Sequence, residues 1–260
     1  MVSLIQALSA VGVLAWLLVE WRGGAPISTW VYIVPLALFH GIYAIWHAKG
    51  AALAPFQLVS AVGRSLNAVA FGLSAARMLE DGGEMAPLLA LHLPVYLCIA
   101  AFLDLSHGLS GIILHFKLRR AQQDPSSAGA AAGRGMAEWN RLLFAIYMIG
   151  LAAWILAAPA SFLDFFRLPP DHFVGRLLAG PLPLLAWNLI LLSAYNLCAV
   201  AYRLTPLIEA GKRGGLFTCF FFAALVALGI LHPITLLLPA VDLLSIALLL
   251  LSALWKRRAH

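Results

Sequence analysis

His40 and His47 stand seven residues apart in the apolar run FHGIYAIWHAKG, and Asp104, His107 and His115 share the run FLDLSHGLSGIILHFKLRR. Imidazole and carboxylate groups ligate transition metals, and paired imidazoles on neighbouring helices hold a b-type haem. Asp104, His107, Gly111 and His115 follow the i, i+3, i+7, i+11 spacing of one helical stripe. His40 and His47 share a face of another helix, roughly 10 Å apart along its axis. Asp242 is a second isolated carboxylate in an apolar run. An ionisable side chain inside a membrane span is costly to place, so each is a functional candidate. The four histidines are candidates for a transition metal or haem b, and Asp104 and Asp242 for a ligand- or proton-linked role.

A structural reading competes with this chemistry. His47 and His115 neighbour Lys49 and Lys117, where a side chain reaches the membrane surface. His40 and His107 lie beside Gly41, Gly108 and Gly111, small residues that let helices approach and hydrogen-bond. Asn67, Asn188, Tyr195 and Asn196 are available to partner the aspartates. The structural reading is preferred, because the chain has neither an HExxH sequence nor a longer metal motif.

The elements that must position these residues follow from composition. Sixty-three per cent of the 260 residues are hydrophobic, 11% are charged, and mean hydropathy is +0.93. These values lie outside the soluble globular range and predict an all-α polytopic membrane protein. Apolar runs between Gly, Pro and charged clusters predict eight transmembrane helices, at 2–21, 30–48, 56–79, 86–116, 139–158, 172–202, 215–232 and 234–255. The last two are divided at Pro233, because about 20 residues suffice to span.

With the N-terminus in the cytoplasm, twelve Lys and Arg fall on that side: Lys49; Lys117, Arg119 and Arg120; Arg134 and Arg141; Arg203, Lys212 and Arg213; Lys256, Arg257 and Arg258. Four fall opposite, Arg22, Arg77, Arg167 and Arg176. The asymmetry places both termini in the cytoplasm and points to a bacterial inner membrane. It also accounts for the net charge of +6 without nucleic acid, which is excluded as a partner. Lipid is the expected partner, with other membrane proteins next. Cys98, Cys198 and Cys219 lie in apolar runs without CxxC spacing, which argues against disulfides and structural zinc.

A shift of 138 residues lays VGVLAWLL (11–18) on IGLAAWIL (149–156), Asp104-Leu105 on Asp242-Leu243, and Arg119-Arg120-Ala121 on Arg257-Arg258-Ala259. The expectation is two tandem four-helix bundles, 1–120 and 139–260, joined by the flexible Ala/Gly/Ser-rich linker 121–138. Four helices per half is an even number, so the repeats should be parallel, unlike the inverted repeats of many transporters. His40, His107 and His115 fall on Leu178, Ser245 and Ala253, so a histidine site would belong to the first bundle alone.

The second half resembles small four-helix membrane proteins of the DoxX-like kind. The resemblance rests on Gly150 in its first helix, Pro159 at that helix's outer end, FLDFFRLP (162–169), and RLLAG (176–180) opening the next helix. It implies a four-helix bundle per half and no particular reaction. No GxSxG, P-loop or paired carboxylates at catalytic spacing are present, so the sequence names no reaction and leaves catalysis open. The leading expectation is an integral membrane protein that partners an assembly or binds a lipid or small apolar ligand. The alternatives are a haem- or metal-binding redox protein and a small secondary transporter.

Overall fold

The computed structural model describes residues 27–80, 87–121, 136–168, 181–244 and 246–247, and within the first 26 residues only 4, 7, 8, 11–13, 15, 16 and 19. Among the described residues the fold is helical: α1 (Ile27–Gly50), α2 (Ala54–Glu80), α3 (Pro87–Ala121), α4 (Met136–Ala157), α5 (Pro159–Phe166), α6 (Pro181–Ala201) and α7 (Thr205–Ala227). A 3-10 turn, Pro233–Leu236, continues into a last helix that reaches Leu244. Five segments are long and apolar enough to cross a membrane: Ala54–Ala76, Val95–Arg120, Ala137–Ala157, Leu182–Ala201 and Thr205–Ala227. They fit an integral membrane protein. Most of the expected span at 2–21, the start of the one at 172–202, most of the linker and the basic C-terminus lie outside the described residues.

One expected boundary is corrected. The span placed at 215–232 begins at Thr205, ten residues earlier. The Gly, Lys and Arg residues of EAGKRGG suggest a loop, yet 209–215 form helix. Arg203 takes a left-handed φ of 51°, which ends α6, and Pro206 enters the first turn of α7, where its missing N–H is no loss. The division at Pro233 matches the structure: the chain turns at 228–232, and His232 Nδ1 accepts the Ile234 N–H at 3.3 Å.

α1 and α6 are buried on nearly every side. Val34, Leu36, Ala37, Leu38 and Phe39 are consecutive core positions apart from Pro35, and two-thirds (67%) of the best apolar window of α6 is buried. A helix apolar all round belongs at the centre of a bundle. By contrast only 22% of the corresponding window of α3 is buried, and Ile99, Phe102, Leu109 and Ile113 form an exposed apolar row. α2 packs along α3, α4 along α6, α1 against α7, and α2 against α6. Helices before and after the linker therefore interlock.

Glycines set the closest approaches. A β-carbon on Gly108 would stand 3.0 Å from the Ala61 carbonyl oxygen, and one on Gly111 3.1 Å from the Ala61 side chain, so α3 rests on α2 nearly backbone to backbone. Gly41 of α1 receives the Phe217 ring of α7 in the same way.

Candidate functional site

The helices bearing His40 and His107 do not run side by side. α2 lies against α3 along its length, whereas α1 meets α3 mainly where Tyr96 approaches His40. Matched basic ends give two helices equal depth, but depth does not make them neighbours. α2 brings Arg64, a cation that the count of basic residues by side passes over because it lies inside a span.

Arg64 is the hub of a buried network. It is 2% exposed; its Nη1 donates to Asp104 Oδ1 at 2.5 Å, and its Nε donates to His47 Nε2 at 3.2 Å. The guanidinium also stands 5.6 Å from the centre of the Tyr43 ring, a cation–π distance. Since an arginine N–H only donates, His47 Nε2 is an acceptor. The Ser60 hydroxyl therefore also donates to it at 3.1 Å, while accepting from the Tyr195 hydroxyl at 3.1 Å. Close by, Tyr43 donates to Asn188 Oδ1 at 2.5 Å, and Asn67 donates to the same oxygen at 3.2 Å. Tyr195 and Asn188 come from α6, so these bonds tie the segment before the linker to the one after it.

The four histidines do not meet at one point: His47 and His107 both face Arg64, while His40 and His115 bond elsewhere. His40 Nδ1 donates to the Leu36 carbonyl at 2.7 Å, and its Nε2 is 3.5 Å from the Tyr96 hydroxyl. His107 Nδ1 is 3.5 Å from Arg64 Nη1, and His115 Nδ1 donates to the Ala54 carbonyl at 2.7 Å. Among the described residues no three His, Cys, Asp or Glu side chains converge as a metal centre needs. Asp104 finds Arg64, not the anticipated asparagines and tyrosine, and Asn67 and Asn188 bond to one another.

Asp242 lies in a different setting. It is 5% exposed and sits against Gly215 of α7, where a β-carbon would be 2.9 Å from its Oδ1. Arg141 of α4, expected among the cytoplasmic charges, is instead 1% exposed and packs over Gly211, one helical turn away on α7. Asp242 is among the residues lining a cavity of about 610 Å³ bounded by α1, α4, α6, α7 and the 229–242 segment. Its walls are apolar, among them Leu38, Phe39, Leu151, Leu185, Leu189 and Phe222, and the polar lining is confined to a few groups such as Thr218, Asp242 and, near the α5 turn, Arg167. α5 closes one side: its amphipathic sequence buries Phe162, Leu163 and Phe166, with Trp154 stacked edge-on to Phe162. No pattern in the sequence announces this cavity, since its walls come from segments up to two hundred residues apart. The amphipathic segment after α4 is the one visible hint.

The size lies within the roughly 300–1,000 Å³ of small-molecule sites, and apolar walls with few placed polar groups are their usual chemistry. In comparisons with known proteins, no family model, curated protein or solved structure matches the chain.

Proposed function

We propose that the chain is a multi-pass membrane protein that binds a lipid or small apolar ligand in the cavity between its two halves. The observation that carries this reading is the 610 Å³ apolar space, bounded by helices from both halves and lined at one point by Asp242. Leu189 and Leu185 line it, so Leu189→Trp or Leu185→Trp fills it from the wall without touching the Arg64 network. Protein extracted in mild detergent and incubated with dodecane is expected to show a one-to-one adduct by native mass spectrometry, which either tryptophan removes. Dodecane bound equally by filled and unfilled proteins would sink the reading.

The eight-span, two-bundle arrangement belongs to the same proposal, as does the DoxX-like character of each half. Its support is reciprocal packing: the second expected helix of the first half meets the third of the second half (α1 on α7), and the third of the first meets the second of the second (α2 on α6). Two parallel copies related by an axis along the membrane normal require that exchange. Inner-membrane location with both ends cytoplasmic rests on the Lys and Arg asymmetry. A reporter fused after His260 should accordingly be active on the cytoplasmic side, and activity confined to the outer side would reverse the topology. A metal or haem role for His40, His47, His107 and His115 is not carried forward, because the ring nitrogens placed above are engaged by protein groups, those of His47 and His107 by the Arg64 guanidinium.

A further inference from the structure

Beside the cavity is a small void of about 20 Å³, and Ile42, Met148, Leu192, Thr218 and Asp242 line both spaces. That volume admits one water-sized group and no more, since about 10–15 Å³ is the minimum for a single oxygen-centred occupant. Arg141 and Asn196 complete the lining. Each carries a buried hydrogen-bonding atom without a partner: Nε of Arg141, a donor, and Oδ1 of Asn196, an acceptor. Asn196 is held in place, because its Nδ2 donates to the Leu192 carbonyl at 2.8 Å. Buried polar atoms are nearly always satisfied, so an orphan donor and an orphan acceptor lining one pocket point to a shared partner.

Charge narrows what that partner is. Asp104 and Asp242 fall on one another under the 138-residue shift, and each faces a buried arginine, but the two pairs differ. Arg64 and Asp104 close at 2.5 Å, whereas Arg141 and Asp242 form no ion pair, and the void lies between the helices that carry them. Arg141 and Asp242 offer opposite charges on one lining, so an anionic head group gains the first but meets the second, and a cationic one the reverse. A neutral group that accepts one hydrogen bond and donates another meets neither repulsion. A hydroxyl does this with a single oxygen.

We infer that the cavity takes a long-chain ligand whose head is one neutral hydroxyl, seated in the void and read by Arg141 and Asn196. This rests on the cavity being a binding site, and adds the identity of the head group. The chain of such an alcohol lies against the leucine and phenylalanine walls, and its oxygen accepts from Arg141 and donates to Asn196.

The test uses the full-length protein in mild detergent with three probes of equal chain length: dodecanol, dodecyl methyl ether and dodecane. The ether can accept but not donate, and the alkane can do neither. After correction for measured micelle partitioning, the unaltered protein should bind the alcohol about tenfold more tightly than the ether, the effect of one unpaired buried polar atom. Asn196→Leu should reduce the alcohol-to-ether ratio to near one while leaving dodecane affinity in place. Should that variant fail to fold, the comparison on the unaltered protein decides alone. Equal binding of all three probes overturns the inference, leaving a void that holds only water, and the apolar cavity reading stands. Binding of none of them overturns both.

Discussion

Arg64→Leu alone is expected to destabilise the folded chain by about 3–5 kcal/mol, the usual cost of leaving one member of a buried ion pair uncompensated. The substitution strands Asp104 inside the bundle without its cation and removes a donor from His47. It also takes the guanidinium from the Tyr43 ring. Asp104→Asn should cost less, because an amide oxygen still accepts from Arg64. The informative variant is the double Arg64→Leu/Asp104→Leu, which removes both charges and should recover most of the loss. Unfolding in detergent, followed by thermal melting of the two single variants and the double, gives the coupling energy directly. If Arg64→Leu melts with the unaltered protein, the network is not what joins α1, α2, α3 and α6.

Gly108→Leu should be similarly damaging by a different route. A β-carbon there meets Ser65 Oγ and, at 3.0 Å, the Ala61 carbonyl oxygen, which belongs to the α2 backbone and cannot rotate away. Overpacking of this kind costs about 1–3 kcal/mol and occasionally more, and here it parts two helices along their main contact. Gly150→Leu is the internal control. Nothing lies within 4 Å of its added β-carbon, and leucine is the better helix former, so no loss is expected. Yield of monodisperse protein and melting temperature compare the two. Equal behaviour would show that α2 and α3 do not pack through Gly108.

The helical, membrane-spanning character is legible in the chain, because hydropathy acts locally and repeats span after span. Asp104 is legible too, as a polar residue stranded in an apolar run, whereas His47, expected at the membrane surface beside Lys49, is instead buried against Arg64 and Ser60. Their partners are not legible. Arg64 is a single basic residue in a span of moderate hydropathy, and a topology count attends to basic residues at span ends. Its own cost of burial is the signal that would single it out. Arg141 misleads in the opposite direction: it sits near the start of α4, looks like a surface charge, and is buried because Gly211 leaves room for it. The pairing of α1 with α7 and of α2 with α6 depends on lateral order, which periodicity does not encode. The cavity, assembled from many segments, follows only once that order is known.

The interlocking of helices across the linker has a consequence for how the chain is made. α1 and α2 find their neighbours on α6 and α7, which leave the ribosome more than a hundred residues later. At synthesis rates of about 5–20 residues per second, the early helices wait on the order of ten seconds in the bilayer before their partners arrive. During that interval Tyr43 lacks Asn188 and Ser60 lacks Tyr195. The Arg64–Asp104 contact needs only α2 and α3, so these two charges neutralise one another before the rest of the bundle exists. An ion pair formed within the first half thus also serves as a holding arrangement for an unfinished membrane protein.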